Sequence, residues 1–161
     1  MIKTITLFVA CVHFFSFGMK ASQPMDYHDY AELCGLTEEE FILFSSVVEA
    51  ESNRHAPDEG ELTTEGRIYI ALTIWNRVNS SRWPSTVNGV LTQRNQFSTV
   101  RNGASVTNRT EWSDRAVYEA YVWLNEEDSD APDVQFFNCR GYFSGVEPCA
   151  YVGGNYFSYG Y

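Results

Sequence analysis

Positive charge is scarce in this chain. Eleven Lys and Arg face twenty-one Asp and Glu, a formal net charge of -10. That argues against nucleic acid as a partner, because phosphate backbones are held by clustered cations. It also gives no attraction toward anionic wall polymers or membrane surfaces, so any polymer bound must be held by neutral contacts. Metal-binding patterns are missing too. There is no C-x-x-C and no H-E-x-x-H, and His28 and His55 stand alone, which argues against a zinc site. Asp128, Asp130 and Asp133 lack the EF-hand spacing for calcium. No internal repeat and no separate binding domain is visible in the 161 residues, which suffice for one domain with one core.

Long apolar runs are absent except at the start. Lys3, the apolar stretch from Ile5 to Phe17 and the small residues Ser16, Gly18 and Ala21 read as a secretory signal over residues 1–21. The run is short for a transmembrane helix. The expected location is therefore secreted, periplasmic or cell-envelope, with residues 22–35 an extension and 36–161 the folded domain. Cysteine is also sparse, four in all, and Cys11 falls in the signal. Cys139 and Cys149 bracket a glycine-containing loop, and export would permit a disulfide between them. The alternative is that Cys34, Cys139 and Cys149 are all buried thiols.

What the chain does have is aromatic and apolar content, 16% and 44%, enough for a packed core. Thr37 and Glu40 have capping-box spacing, and Leu36 and Phe41 that of a hydrophobic staple, so a helix starts at Thr37. Phe41, Phe44 and Val48 recur on one face, and Glu51 is the next position along it. Glu49 falls about 200° around the helix, beside Ser45 and Ser46, which reads as the solvent side. A carboxyl held against apolar packing has its charged form disfavoured and stays available as an acid near neutral pH. The competing reading turns Glu51 outward to pair with Arg54.

A second helix is written from Thr64 to about Val78, apolar nearly all round, and so belongs at the centre of the domain. Asn76 and Arg77 at its end are expected to tie it to neighbouring carbonyls. Residues 53–63 form a polar loop after Glu51 that could act as a lid. Thr110, Glu111 and Asp114 open another helix with a core face of Ala116, Val117, Ala120, Tyr121 and Leu124. An acidic linker follows, Glu126 to Asp133. The end, from Val134, alternates aromatics with Gly and polar residues and reads as a small β-element. Its aromatics, among them Phe136, Tyr151, Tyr156, Phe157 and Tyr159, divide between core and a surface where rings stack on pyranose sugars. The expected class is α+β and mostly helical, a lysozyme-like bundle around one buried helix.

Taken in order, Ala50-Glu51, Glu65-Gly66, Asn76-Arg77-Val78, the Trp83-to-Val90 segment, Gln96-Phe97-Ser98 and Phe136-Phe137-Asn138 resemble the SleB/CwlJ-like cell-wall hydrolases. The resemblance runs from about Phe41 to the C-terminus. It implies cleavage of peptidoglycan glycan strands with Glu51 as the catalytic acid. Gln96, Phe97, Ser98, Phe137 and Asn138 are the matching candidates for substrate contacts. Where many members carry Gly-x-His near the end, this chain has Gly154-Asn155-Tyr156. Hydrolysis usually needs two carboxyls; lytic transglycosylation needs one, which protonates the leaving oxygen and then deprotonates the C6 hydroxyl that closes a 1,6-anhydro ring. With one Glu on the apolar face and transglycosylases in the family, the second chemistry is favoured, and no cofactor is expected. Glu65 is either a second, substrate-facing carboxyl or a first-turn acid favoured by the helix dipole. The rivals are a water-using muramidase, an amidase, and a non-catalytic wall-binding or virion module.

Overall fold

The computed structural model describes residues 25–52, 60–97, 100 and 108–160, with 60–63 as backbone. The reading of residues 1–21 as a secretory signal and the lid reading of residues 53–59 fall outside the described residues. Five helices and a three-stranded sheet make up the elements considered below. The first helix, α1 (Tyr27–Leu33), falls in what the sequence reading left as an extension. It forms because Asp26 and Asp29 build a reciprocal capping box, and it brings Ala31 into the core.

Helix α2 (Glu38–Ser52) starts as expected. The Glu40 amide donates to Thr37 Oγ1 at 3.2 Å, and the Thr37 amide donates back to the Glu40 carboxylate at 3.2 Å. Helix α3 (Gly60–Asn79) begins four residues earlier than its apolar pattern. The polar residues before Thr64 are its first turn rather than part of a loop, so Glu65 is not in the first turn and the dipole role expected of it weakens. From Ile70 to Arg77 every side chain of α3 is buried. Trp75 packs between Phe44 of α2 and Tyr121 of α5 (Glu111–Asn125), with centroids 5.1 and 5.3 Å away, and its indole N–H donates to Val117 O. Asn76 Nδ2 donates to the carbonyls of Pro132 and Val134, and Arg77 Nε to that of Gln135. The end of α3 is thereby sewn to the first strand, as the sequence suggested. Helix α4 (Val87–Thr92), capped by Thr86, closes the bundle over Val90 and Leu91.

Strands β1 (Val134–Asn138), β2 (Pro148–Val152) and β3 (Asn155–Tyr159) form an antiparallel sheet of order β1-β3-β2. The β2–β3 turn is Gly153-Gly154, with φ of 54° and 80°, the positive pair that a two-residue hairpin turn requires. Tyr69 of α3 meets Phe157, and Phe137 bridges Phe97 and Phe157, so one sheet face is core. The chain is thus α+β and mostly helical.

The expected bridge between Cys139 and Cys149 is not formed; both are free thiols, as is Cys34. Sheet order explains it. Cys139 follows β1, Cys149 lies on β2, and β3 runs between them. Two strand spacings are about 9.6 Å. The register adds further offset, since Asn138 pairs Tyr156 while Ala150 pairs Phe157. Cα atoms beyond about 7 Å cannot be bridged without backbone movement.

Candidate active site

The last two turns of α2 reverse the expected orientation of its polar side. Ser45 and Ser46 are fully buried, and Glu49 is 4% exposed, not turned to solvent. Arg67 of α3 grips Glu49 with a two-pronged ion pair, Nε to Oε2 and Nη2 to Oε1, each 2.9 Å. Thr110, the N-cap of α5, donates its hydroxyl to Glu49 Oε2 at 2.8 Å. One carboxylate therefore joins three helices. A face that reads as polar in sequence faces water only if no other polar face meets it; here the N-terminus of α5 does.

That neighbour carries a second polar group. Ser45 Oγ donates to Asp114 Oδ1 at 2.6 Å and lies 2.8 Å from Ser113 Oγ. Arg109 pairs with Asp114 from the other side and stacks on the Tyr27 ring, 4.1 Å from its centroid. Burial pushes the Asp114 carboxyl up, opposed by the Ser45 hydrogen bond and the Arg109 charge. The chain of contacts runs from α1 through α5 to α2.

Glu51 is half-buried in the final turn of α2, one turn beyond Val48 and two beyond Phe44, both fully buried. Glu65 is exposed on α3. Its neighbour Gly66 lies against the sheet: a Cβ there would stand 3.0 Å from Gly153 Cα in the β2–β3 turn. Gly66 precedes Arg67, so the hairpin turn, Glu65 and the end of α2 with Glu51 gather at one end of α3.

The other expected contacts divide. Gln96 is exposed and accepts from Arg77 Nη1 at 3.1 Å. Phe97 is 2% exposed and belongs to the core, which corrects its reading as a substrate contact; a large apolar ring beside α4 is worth more inside. Phe137 is half-buried between Phe97 and Phe157, and Asn138 accepts the Arg140 amide in a local turn. Ser98 lies outside the described residues. Arg77 is buried under Trp83, 4.4 Å from the ring centroid, and burial pushes its guanidinium down to about 10, still a cation at neutral pH. Among the described residues no group of three His, Cys, Asp or Glu is placed to hold a metal ion, and no helix is long and apolar enough to cross a membrane. Sequence reasoning missed Arg67 and Thr110 as site residues. A cation opening the apolar run of α3 was the available sign.

The family model for cell wall hydrolases matches residues 61–144, just over half of the chain, beginning after α2. Two solved structures share the fold. The catalytic domain of the Bacillus cereus SleB protein is 21% identical with a TM-score of 0.59, over 76% of this chain and 91% of that one. The catalytic domain of the germination-specific lytic transglycosylase SleB from Bacillus anthracis is 20% identical with a TM-score of 0.58, over 77% and 97%. A search of curated proteins found no match. The apolar α3 ending in Asn76-Arg77, the Trp83–Val90 segment and the strand carrying Phe136-Phe137-Asn138 all fall within the matched residues, and the chain belongs to the cell wall hydrolase family.

Proposed function

We propose that the chain cleaves peptidoglycan glycan strands outside the cytoplasm as a lytic transglycosylase, with Glu51 as the single general acid and base. The observation that carries this is the contrast between the two carboxyls at the end of α2. Both oxygens of Glu49 are engaged by Arg67 and one also by Thr110, behind a shield that leaves 4% exposed. Glu51 is half-buried rather than sealed. It lies one turn beyond the fully buried Val48, in the last turn of α2, where the helix dipole disfavours negative charge. In its acid form it would protonate the glycosidic oxygen. Once ionised, the same carboxylate takes the proton of the C6 hydroxyl as the anhydro ring closes.

Digestion of purified peptidoglycan tests the reading. Glu51→Gln keeps the shape but cannot cycle a proton, and activity should fall at least ~100-fold, the low end for general acid–base catalysis. Wild-type fragments should carry anhydro-muramic ends, lighter by one water than reducing ends. Reducing ends would instead mean a water-using hydrolase and make the exposed Glu65 its second carboxyl. Unimpaired Glu51→Gln would remove Glu51 from the chemistry.

A further inference from the structure

The sheet has a second face, turned away from α3, and rings cover it. Tyr156 and Tyr151 sit side by side across β3 and β2, with centroids 4.5 Å apart, and Tyr142 meets Tyr156 edge-on at 5.0 Å. Toward the other end, Phe143 lies 5.6 Å from Phe136, which meets Trp83 at 5.9 Å. These residues are not spare core. Tyr151 is 59% exposed, and Tyr142 and Phe143 42% each. The exposed patch is therefore contiguous and held in place from beneath, which single scattered surface aromatics are not.

We infer that this face is a saccharide platform that holds pyranose rings of the glycan strand beyond the bond cleaved at Glu51. The inference rests on the glycan-cleaving reading above and extends it to the substrate's binding surface. Three observations select this occupant. The rings present electron-rich faces, which attract the weakly positive C–H faces of a sugar. Six uncharged side chains carry the patch, so it would hold a ligand through ring faces rather than through ion pairs. One end of the platform also borders the turn that meets the N-terminal half of α3. The Tyr151–Tyr156 end adjoins the Gly153-Gly154 turn, which lies against Gly66, one residue from the Arg67 that grips Glu49. The opposite end reaches Trp83, stacked over Arg77 at the far end of α3. From Gly66 to Arg77 the helix advances about 16 Å, room for more than one ring in line.

Binding can be read apart from cleavage. The full chain carrying Glu51→Gln is titrated with glycan strands freed of their stem peptides, followed by tryptophan fluorescence and by co-sedimentation with intact peptidoglycan. Tyr151→Ala and Tyr142→Ala should each weaken binding about tenfold, the usual cost of truncating an exposed aromatic anchor. Tyr151→Trp, which keeps a ring, should restore it. Affinities unchanged in both alanine variants would overturn the platform while leaving the chemistry at Glu51 standing. No binding by the parent chain would overturn the platform too. A change in oligomeric state without loss of glycan affinity would assign the face to a second copy and equally sink the inference. Cleavage that survives Glu51→Gln, with the Tyr effects intact, would fail the mechanism and spare the platform.

Discussion

Glu49 and Glu51 are two residues apart and do opposite things. Glu49 is a buried anion whose cost is met by a two-pronged guanidinium and a hydroxyl. Removing one partner of such a pair leaves the other charge uncompensated, which costs about 3–5 kcal/mol, while replacing both by apolar groups is often neutral. Glu49→Gln should therefore lower unfolding stability by about 3–5 kcal/mol, because Arg67 is 8% exposed and keeps its charge. The double variant Glu49→Leu with Arg67→Met should recover most of that. Glu51→Gln, half-buried and unchanged in shape, should change stability by less than about 1 kcal/mol. Urea melts of the four chains check this, and equal losses for Glu49→Gln and Glu51→Gln would contradict the assignment. Sequence periodicity placed Glu51 one turn beyond Val48, and it is half-buried there. It could not place Glu49, because whether a polar face meets water or another polar face depends on where α5 lands. Thr110 and Ser113 are 61 and 68 residues further along the chain from their partners Glu49 and Ser45.

At the level of elements, local chemistry was easy to read and packing was not. The capping box of α2, the start of α5 at Thr110, the apolar run of α3 and the ties of Asn76 and Arg77 follow from residue types at short spacing. Helix α1 was missed because it spans only 7 residues, although Asp26 and Asp29 mark its start. The sorting of the C-terminal aromatics needed the sheet's two faces: Phe137 and Phe157 turn inward, Phe136, Tyr151 and Tyr156 outward. Gly66 shows why one helix position resists a side chain. Ala in place of Gly inside a helix gains about 1 kcal/mol. Here the new Cβ would press to 3.0 Å on the Gly153 Cα, backbone of a turn fixed by two strands. Overpacking of that kind costs about 1–3 kcal/mol, so strain wins. Gly66→Ala should lose about 1 kcal/mol net. Thermal unfolding at or above the wild-type midpoint would show that the hairpin yields to the new methyl.

The whole molecule sets the state of its thiols. The β1-β3-β2 order holds Cys139 and Cys149 on opposite sides of β3, and Cys34 ends α1 inside the core, 5% exposed. Burial pushes the Cys34 thiol up to about 12, so almost none of it is thiolate at pH 8, and the thiolate is the nucleophile. Cys139 and Cys149 are half-buried near the surface. An oxidising compartment would not alter this, since geometry and not redox poise keeps the pair apart. Brief alkylation of the native chain at pH 8, followed by peptide mapping, should label Cys139 and Cys149 well ahead of Cys34. Denaturant should remove the difference. A reductant should leave the thermal midpoint unchanged. Recovery of Cys139 and Cys149 in one disulfide-linked peptide would contradict the strand order itself, because closing that bridge requires β1 and β2 to be neighbours, and with β3 displaced the outer aromatic face could not form.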